Sequence, residues 1–93
     1  MNFDEQRVLI TGASRGIGRS VAQAFSNAGA SVAVHYNKGK MAAQDTLQSL
    51  DGGNHSMFQA DITQPNEARA LVTDVISEMG AVDVLVNNAG IFE

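Results

Sequence analysis

The residues best suited to chemistry form a glycine-rich turn, Gly12-Ala13-Ser14-Arg15-Gly16-Ile17-Gly18. The turn follows a short apolar run and precedes a segment with helical periodicity, so it is predicted to join a buried strand to the start of a helix. Backbone N–H groups at a helix N-terminus, together with the positive end of the helix dipole, bind phosphate. Glycine also occurs in such turns for steric reasons alone, so this pattern leaves both interpretations open.

Basic residues are concentrated around this turn, although the net charge of the chain is −4. Five of the six Lys and Arg residues lie between Gln6 and Gln44, a stretch without an acidic residue. They are Arg7, Arg15, Arg19, Lys38 and Lys40. An anionic ligand would therefore bind the first half of the chain, whereas the overall charge argues against nucleic-acid binding. The alternative is that these side chains form an ordinary solvated face.

Four short β-type runs alternate with three helical patterns along the chain. The runs cover residues 7–11, 31–36, 55–60 and 82–86. Three strand–helix–strand units with right-handed crossovers place a parallel sheet between two helix layers. The sequence therefore predicts an α/β fold, a doubly wound parallel sheet of four strands with three helices, in one domain over residues 1–93.

Apolar residues at helical spacing predict the buried faces of the first and third helices. These residues are Ile17, Val21, Ala24, Phe25 and Ala28 in the first helix, and Ala68, Leu71, Val72, Val75, Ile76 and Met79 in the third. The fourth strand is also apolar, with Val84, Leu85 and Val86 in a row. We expect its outer edge to be exposed and the chain to associate with itself there, because an open apolar edge favours strand pairing.

Three motifs resemble those of the short-chain dehydrogenase/reductase family. The segment from Thr11 to Gly18 is similar to the family's T-G-x-x-x-G-x-G signature, and Asn87-Asn88-Ala89-Gly90 resembles its N-N-A-G motif. Asp61, after the third strand, is similar to the family's adenine-contacting Asp. The resemblance covers essentially the whole chain and implies a Rossmann-like fold. Within the family, the sequence is most similar to NADP-dependent 3-oxoacyl-acyl-carrier-protein reductases.

The resemblance implies a nicotinamide dinucleotide cofactor, and the residues favour NADP (NADPH) over NAD. An acid about 20 positions beyond the glycine turn is typical of NAD-binding proteins, but the second strand here ends without one, at Val34-His35-Tyr36-Asn37-Lys38. Arg15 and Lys38 are instead predicted to pair with a 2′-phosphate. The alternative is that both are solvated side chains.

The predicted cofactor-binding residues come from the ends of all four strands. They are Gly12, Ser14, Arg15, Gly16, Ile17, Gly18, Asn37, Lys38, Asp61, Ile62, Asn88, Ala89 and Gly90. Two sets have a second interpretation. Asp61 also suits the entry to a helix, where acids are favoured by the dipole, and Asn88-Ala89-Gly90 also suits a simple turn.

No catalytic or metal site is predicted within the chain. The family's catalytic Ser, Tyr and Lys are implied by the resemblance to lie beyond residue 93. Tyr36 and Lys40 formally match Y-x-x-x-K, but Gly39 interrupts any helix that would bring them to one face. The chain has no cysteine, and His35 and His55 have no second ligand at metal spacing.

The sequence supports two functional hypotheses. The favoured one is that the chain is the cofactor-binding N-terminal part of an NADP-dependent reductase, truncated at its C-terminal side, whose parent reduces a 3-oxoacyl-type ketone by hydride transfer. The alternative is a complete, non-catalytic nucleotide-binding or interaction module. Because no segment resembles a membrane span or a signal peptide, we expect a cytoplasmic protein without a membrane partner.

Overall fold

A strand with apolar side chains on both faces, β1 (Arg7–Thr11), lies inside the sheet. In the computed structural model, which describes residues 3–89, β1 pairs in parallel with β2 (Ser31–Tyr36) on one side and β4 (Val84–Asn87) on the other. β3 (Ser56–Gln59) pairs with the far side of β2, which gives the order β3-β2-β1-β4. The predicted four-stranded parallel sheet is confirmed.

Three helices cover the two faces of this sheet. α1 (Gly16–Asn27) and α2 (Lys40–Gln48) lie on one face, where Ala22 and Ala43 join a core cluster with the strands. α3 (Pro65–Met79) lies on the other face, where Leu71 and Val75 pack against Leu9 of β1. The chain therefore crosses from one side of the sheet to the other, which confirms the doubly wound arrangement.

β3 and β4 differ from the predicted runs at both ends: β3 ends at Gln59 and β4 at Asn87, and both begin later than predicted, where side chains replace backbone partners. β3 begins at Ser56 and excludes His55, whose ring accepts the Val32 N–H at 2.9 Å. β4 begins at Val84, because the Arg7 N–H donates to the carboxylate of Asp83 at 2.7 Å. Hydrophobic patterning does not reveal either of these side-chain contacts.

The buried line of α1 contains none of the five residues that the apolar pattern predicts, of which Ile17 and Ala24 are exposed, and the buried face of α3 is narrower than predicted. In α1 the fully buried line consists of the small residues Gly18, Ala22 and Ser26, which let the helix approach the sheet closely, while Ile17 is 52% exposed. In α3, Val72 and Ile76 are 38% and 45% exposed.

Within residues 3–89, no helix has the length and apolar character needed to cross a membrane. The cytoplasmic location stays a prediction from the sequence.

Candidate functional site

The carboxyl ends of the strands meet in one open cleft of about 640 Å³. It lies where ligands bind in open α/β sheets, outside the strand ends and beside the N-termini of the helices. The structure brings most of the predicted site residues together there. These are Gly12, Ser14, Arg15, Gly16, Ile17, Asn37, Lys38, Asp61, Ile62, Asn88 and Ala89.

One described residue of the predicted site, Gly18, does not line the cleft. Gly18 is buried behind the glycine turn, and a Cβ on it would collide with the carbonyl oxygen of Gly12 and lie 2.7 Å from Nδ2 of Asn88. Its lack of a side chain serves the packing of α1 against the turn. Gly90 lies outside the described residues.

The first and second glycines of the turn have different physical roles. Gly12 has φ +66°, and a Cβ there would lie 3.0 Å from Cα of Ala89, so glycine allows the turn to contact the end of β4. Gly16 has φ +61° and open space where a Cβ would project. No side chain caps the first turn of α1, so its backbone N–H groups can face a ligand in that space.

The hydroxyl of Thr11 joins the glycine turn to the end of β4. It donates to Oδ1 of Asn87 at 3.2 Å and accepts the N–H groups of Asn88 and Ala89 at 3.0 and 3.1 Å. Asn88 in turn donates its side-chain N–H to the Gly12 carbonyl at 3.1 Å. These bonds hold the two segments of the cleft at a fixed separation.

The side-chain oxygen of Asn88 is buried and has no hydrogen-bond partner within residues 3–89. Leaving a buried acceptor unpaired costs about 1–3 kcal/mol, so a donor that reaches this oxygen would be stabilising. The open space above Gly16 in the cleft is a feature expected of a ligand site.

Arg15 and Lys38 form the cationic side of the cleft. A Cβ on Gly39 would lie 2.9 Å from Nη2 of Arg15, so the guanidinium extends over the residue that precedes α2. Neither Arg15 nor Lys38 donates a hydrogen bond to another residue of the described part of the chain. Two cations that form no side-chain hydrogen bond within residues 3–89, beside a helix N-terminus, suit a phosphate dianion.

Two of the other bases from the first half of the chain have protein partners. Arg19 donates to Oγ1 of Thr46 at 2.8 Å and to the carbonyl oxygen of Ser14 at 2.9 Å, which fixes the turn against α2. Arg7 donates to the Met79 carbonyl oxygen at 3.2 Å, at the C-terminus of α3. Of the basic residues in the first half of the chain, Arg15 and Lys38 are the two that line the cleft.

Asp61 has the role at the entry to a helix that the sequence also suggested. Its Oδ1 accepts the Thr63 hydroxyl at 2.6 Å and the Thr63 N–H at 3.1 Å, in a turn that leads into α3. These bonds lower the pKa of the Asp61 carboxyl, and Lys38 lowers it further. The carboxylate is therefore ionised at neutral pH, with its second oxygen available to accept from a ligand.

His35 and Tyr36 line the cleft and were not among the predicted site residues. Both are buried at the end of β2, and His35 has hydrogen bonds at both ring nitrogens. A polar residue at the carboxyl end of an apolar strand is the sequence signal that could have identified His35. Tyr36 ends β2 whereas Lys40 begins α2, so the two residues do not share a helix face.

A doubly wound parallel sheet whose strand ends and glycine turn surround one cleft defines the Rossmann-like class of α/β proteins. A comparison with protein families identifies one family within that class. Residues 6–93 match the family model described as short chain dehydrogenase, and the chain belongs to this family.

Relatives and solved structures agree with this assignment. The 3-oxoacyl-[acyl-carrier-protein] reductase FabG of Staphylococcus aureus is 42% identical over 85 residues, which are 89% of this chain and 35% of the relative. Glucose 1-dehydrogenase of Gluconobacter oxydans is 40% identical over 90 residues, 95% of this chain and 34% of the relative. A short chain dehydrogenase from Burkholderia cenocepacia J2315 in complex with NADP is 38% identical with a TM-score of 0.92, over 100% of this chain and 39% of that one. The chain thus spans about a third of the length of the curated relatives it matches.

Proposed function

We propose that this chain is the NADP-binding N-terminal portion of a short-chain dehydrogenase/reductase. The observation that carries the proposal is one cleft that contains an open glycine turn together with Arg15 and Lys38, two cations whose side chains form no hydrogen bond within residues 3–89. The similar structure from Burkholderia cenocepacia, which is a complex with NADP, supports it.

Each wall of the cleft suits one part of the dinucleotide. The turn residues Gly12, Ser14, Gly16 and Ile17 would hold the pyrophosphate with backbone N–H groups. Arg15, Asn37 and Lys38 would hold the 2′-phosphate, Asp61 and Ile62 the adenine, and Asn88, Ala89 and Gly90 the ribose and nicotinamide side. When bound, the cofactor supplies hydride chemistry, and the residues of this chain bind and orient it.

Equilibrium titration of the chain with NADPH and NADH by calorimetry tests this proposal. We expect NADPH to bind at least tenfold (~1.4 kcal/mol) more tightly, since two cations face the extra phosphate. Equal or tighter binding of NADH would contradict the assignment of Arg15 and Lys38. Absence of binding of either nucleotide, with no heat at two temperatures, would contradict the cofactor-binding proposal itself.

For the whole protein we propose reduction of a carbonyl, of the 3-oxoacyl type, by hydride transfer. The similarity to a 3-oxoacyl-[acyl-carrier-protein] reductase supports it, while the comparable similarity to a glucose 1-dehydrogenase shows that the substrate is not determined by these residues. The test is whether the source gene also encodes a Ser and a Tyr-x-x-x-Lys after the codon for Glu93. A frame without them would favour a non-catalytic nucleotide-binding module.

We also propose that the 93-residue chain self-associates through the outer edge of β4. Within residues 3–89 no strand pairs with that edge, and Leu85 on β4 is 56% exposed. Unpaired strand edges with apolar side chains favour intermolecular pairing. Light scattering at high concentration should give a mass above that of a monomer, and Leu85→Lys should lower it. A monomeric mass for the unsubstituted chain would contradict the proposal.

A further inference from the structure

His35, the second-last residue of β2, is 2% exposed, and each of its ring nitrogens is bonded to the backbone of a different segment. Nδ1 lies 3.0 Å from the backbone nitrogen of Gly12, and Nε2 lies 2.8 Å from the carbonyl oxygen of Ala60. A backbone N–H can only donate, so Nδ1 must be the unprotonated acceptor. The proton of the neutral ring is therefore on Nε2, which donates to Ala60.

The two segments that His35 connects form opposite walls of the cleft. Gly12 is the first glycine of the turn, and Ala60 directly precedes Asp61. The backbone of His35 strengthens the connection, because its carbonyl oxygen accepts the Ala13 N–H at 2.9 Å. A change in the position or charge of this ring therefore alters the separation between the turn and the loop that carries Asp61.

We propose that His35 is a positioning residue for dinucleotide binding, whose neutral ring fixes the glycine turn against the Asp61 loop and whose protonation releases the turn. This inference rests on the proposed function of the cleft. A protonated Nδ1 would carry a proton facing the Gly12 N–H, so two donors would oppose each other and the bond would be lost. The Gly12 amide would then be unpaired at the start of the pyrophosphate-binding turn.

The surroundings of His35 keep the ring neutral under ordinary conditions. Burial lowers the pKa of His35 below the ordinary 6.5, and its hydrogen bond to Ala60 opposes part of that effect. The charged side chains that line the same cleft are Arg15 after β1, Lys38 after β2 and Asp61 after β3. Within the described residues none of them bonds to the ring, whose polar partners are the two backbone groups.

A second histidine provides a matched control at the other end of the sheet. Nδ1 of His55 accepts the Val32 N–H at 2.9 Å, and Nε2 lies 2.8 Å from the Asp51 carbonyl oxygen. The bonding pattern is the same as that of His35, but His55 lies before β3 and does not line the cleft. Removal of either ring therefore removes two ring-to-backbone bonds of the same kind. Only the His35 ring connects the walls of the cleft.

The decisive experiment compares His35→Leu, His35→Asn and His55→Leu by calorimetric titration with NADPH at pH 8 and pH 5.5. Asn places Oδ1 where Nδ1 of histidine lies, so it keeps the acceptor for Gly12 without a group that can be protonated. We expect His35→Leu to weaken binding about tenfold at pH 8, since the half-buried Gly12 N–H loses its acceptor. His35→Asn should recover most of that loss, and His55→Leu should leave the affinity unchanged.

The pH comparison separates positioning from a merely structural role. Acidification should weaken NADPH binding more in the unsubstituted chain than in His35→Asn, because only the former has a ring to protonate. Titration of the nucleotide's own phosphate affects both proteins equally and cancels. Parallel pH dependence of the two proteins would overturn the inference, as would equal losses in His35→Leu and His55→Leu.

Hydrogen exchange of the Gly12 amide, followed by NMR, tests the inference without nucleotide. Exchange should be faster in His35→Leu than in His55→Leu, and equal rates would overturn the inference. If the unsubstituted chain binds no nucleotide, the proposed function fails, and this exchange comparison alone decides whether His35 orders the turn. If His35→Leu does not fold, His35→Asn and the pH comparison decide.

Discussion

The carboxyl and amino ends of the sheet are built from similar parts but differ in what they leave unpaired. Each end has a histidine bonded through both ring nitrogens, His35 at the carboxyl end and His55 at the amino end. At the amino end Arg7 already donates to the Met79 and Glu5 carbonyl oxygens, whereas at the carboxyl end Arg15 donates to no other described residue. Cations near helix C-termini stabilise the fold, and cations left free near helix N-termini can bind an anion.

Two glycines, Gly16 and Gly52, allow a second comparison between the carboxyl and amino ends of the sheet. Gly16 in the turn has φ +61°, and Gly52 before β3 has φ +54°, and a Cβ on either would meet open space. The backbone requirement is therefore equal at the two positions. Only Gly16 lines the cleft. Substitution of both glycines therefore distinguishes the cost of backbone strain, which is common to both, from an effect on ligand binding, which is expected at Gly16 alone.

The largest expected effect comes from removing the two cations that line the cleft. Replacing Arg15 and Lys38 together by alanine should weaken NADPH binding on the order of 100-fold, about 2.7 kcal/mol, because two charge-assisted contacts to phosphate are lost. NADH binding should change little. Arg7→Ala is the control, expected to lower the free energy of unfolding by about 1 kcal/mol without changing NADPH affinity. A similar loss of NADPH affinity in Arg7→Ala would show that the cations at the carboxyl end of the sheet have no special role in binding the nucleotide.

An intermediate effect is expected from the matched glycines. Gly16→Ala and Gly52→Ala should each lower the free energy of unfolding by about 1 kcal/mol, because alanine at positive φ is strained. In addition, Gly16→Ala should weaken NADPH binding about tenfold, since a methyl group would project toward the pyrophosphate. Urea unfolding and calorimetry measure the two quantities. Equal NADPH affinity in both variants would show that the turn does not approach the ligand.

The smallest effect concerns the pH dependence of stability. The unfolded chain takes up a proton on residue 35 near the ordinary pKa of 6.5, whereas the folded chain does so only at a lower pH. The contribution of His35 is therefore fully present above pH 6.5 and is lost as pH falls toward the lowered pKa of the folded state. Urea unfolding between pH 8 and 5 should show this loss, and His35→Asn should reduce it. If His55→Asn reduced the loss and His35→Asn did not, the pH sensitivity would belong to the amino end.

The architecture could be predicted from the sequence because it follows from alternation of short apolar strands with amphipathic helices. The limits of that prediction are the places where a side chain bonds to distant backbone. His55 and Asp83 shorten two strands in this way, and His35 connects Gly12 and Ala60, which lie 23 and 25 positions from it in the chain. A periodic pattern reports which face is buried and not which backbone group a polar side chain will meet.

The candidate site was more predictable than these details because most of its residues belong to short, contiguous motifs. The glycine turn and Asn88-Ala89 were recognised as motifs, and the topology brings their strand ends together. The sequence does not predict that Arg15 and Lys38 form no side-chain hydrogen bond within residues 3–89, because hydrogen bonding depends on which groups the fold brings near each base. Arg19 stands only four positions from Arg15, yet it is bonded to Thr46 and the Ser14 carbonyl oxygen.

The Thr11 hydroxyl has a consequence for the order of folding. It joins groups that are 76 to 78 positions apart, so its bonds to Asn87, Asn88 and Ala89 form only after the chain has closed a very long loop. Contacts of such separation form slowly, because the entropy of loop closure opposes them until other structure is in place. During synthesis the glycine turn leaves the ribosome long before its partners do. The contact of the glycine turn with the end of β4 is therefore among the last to form.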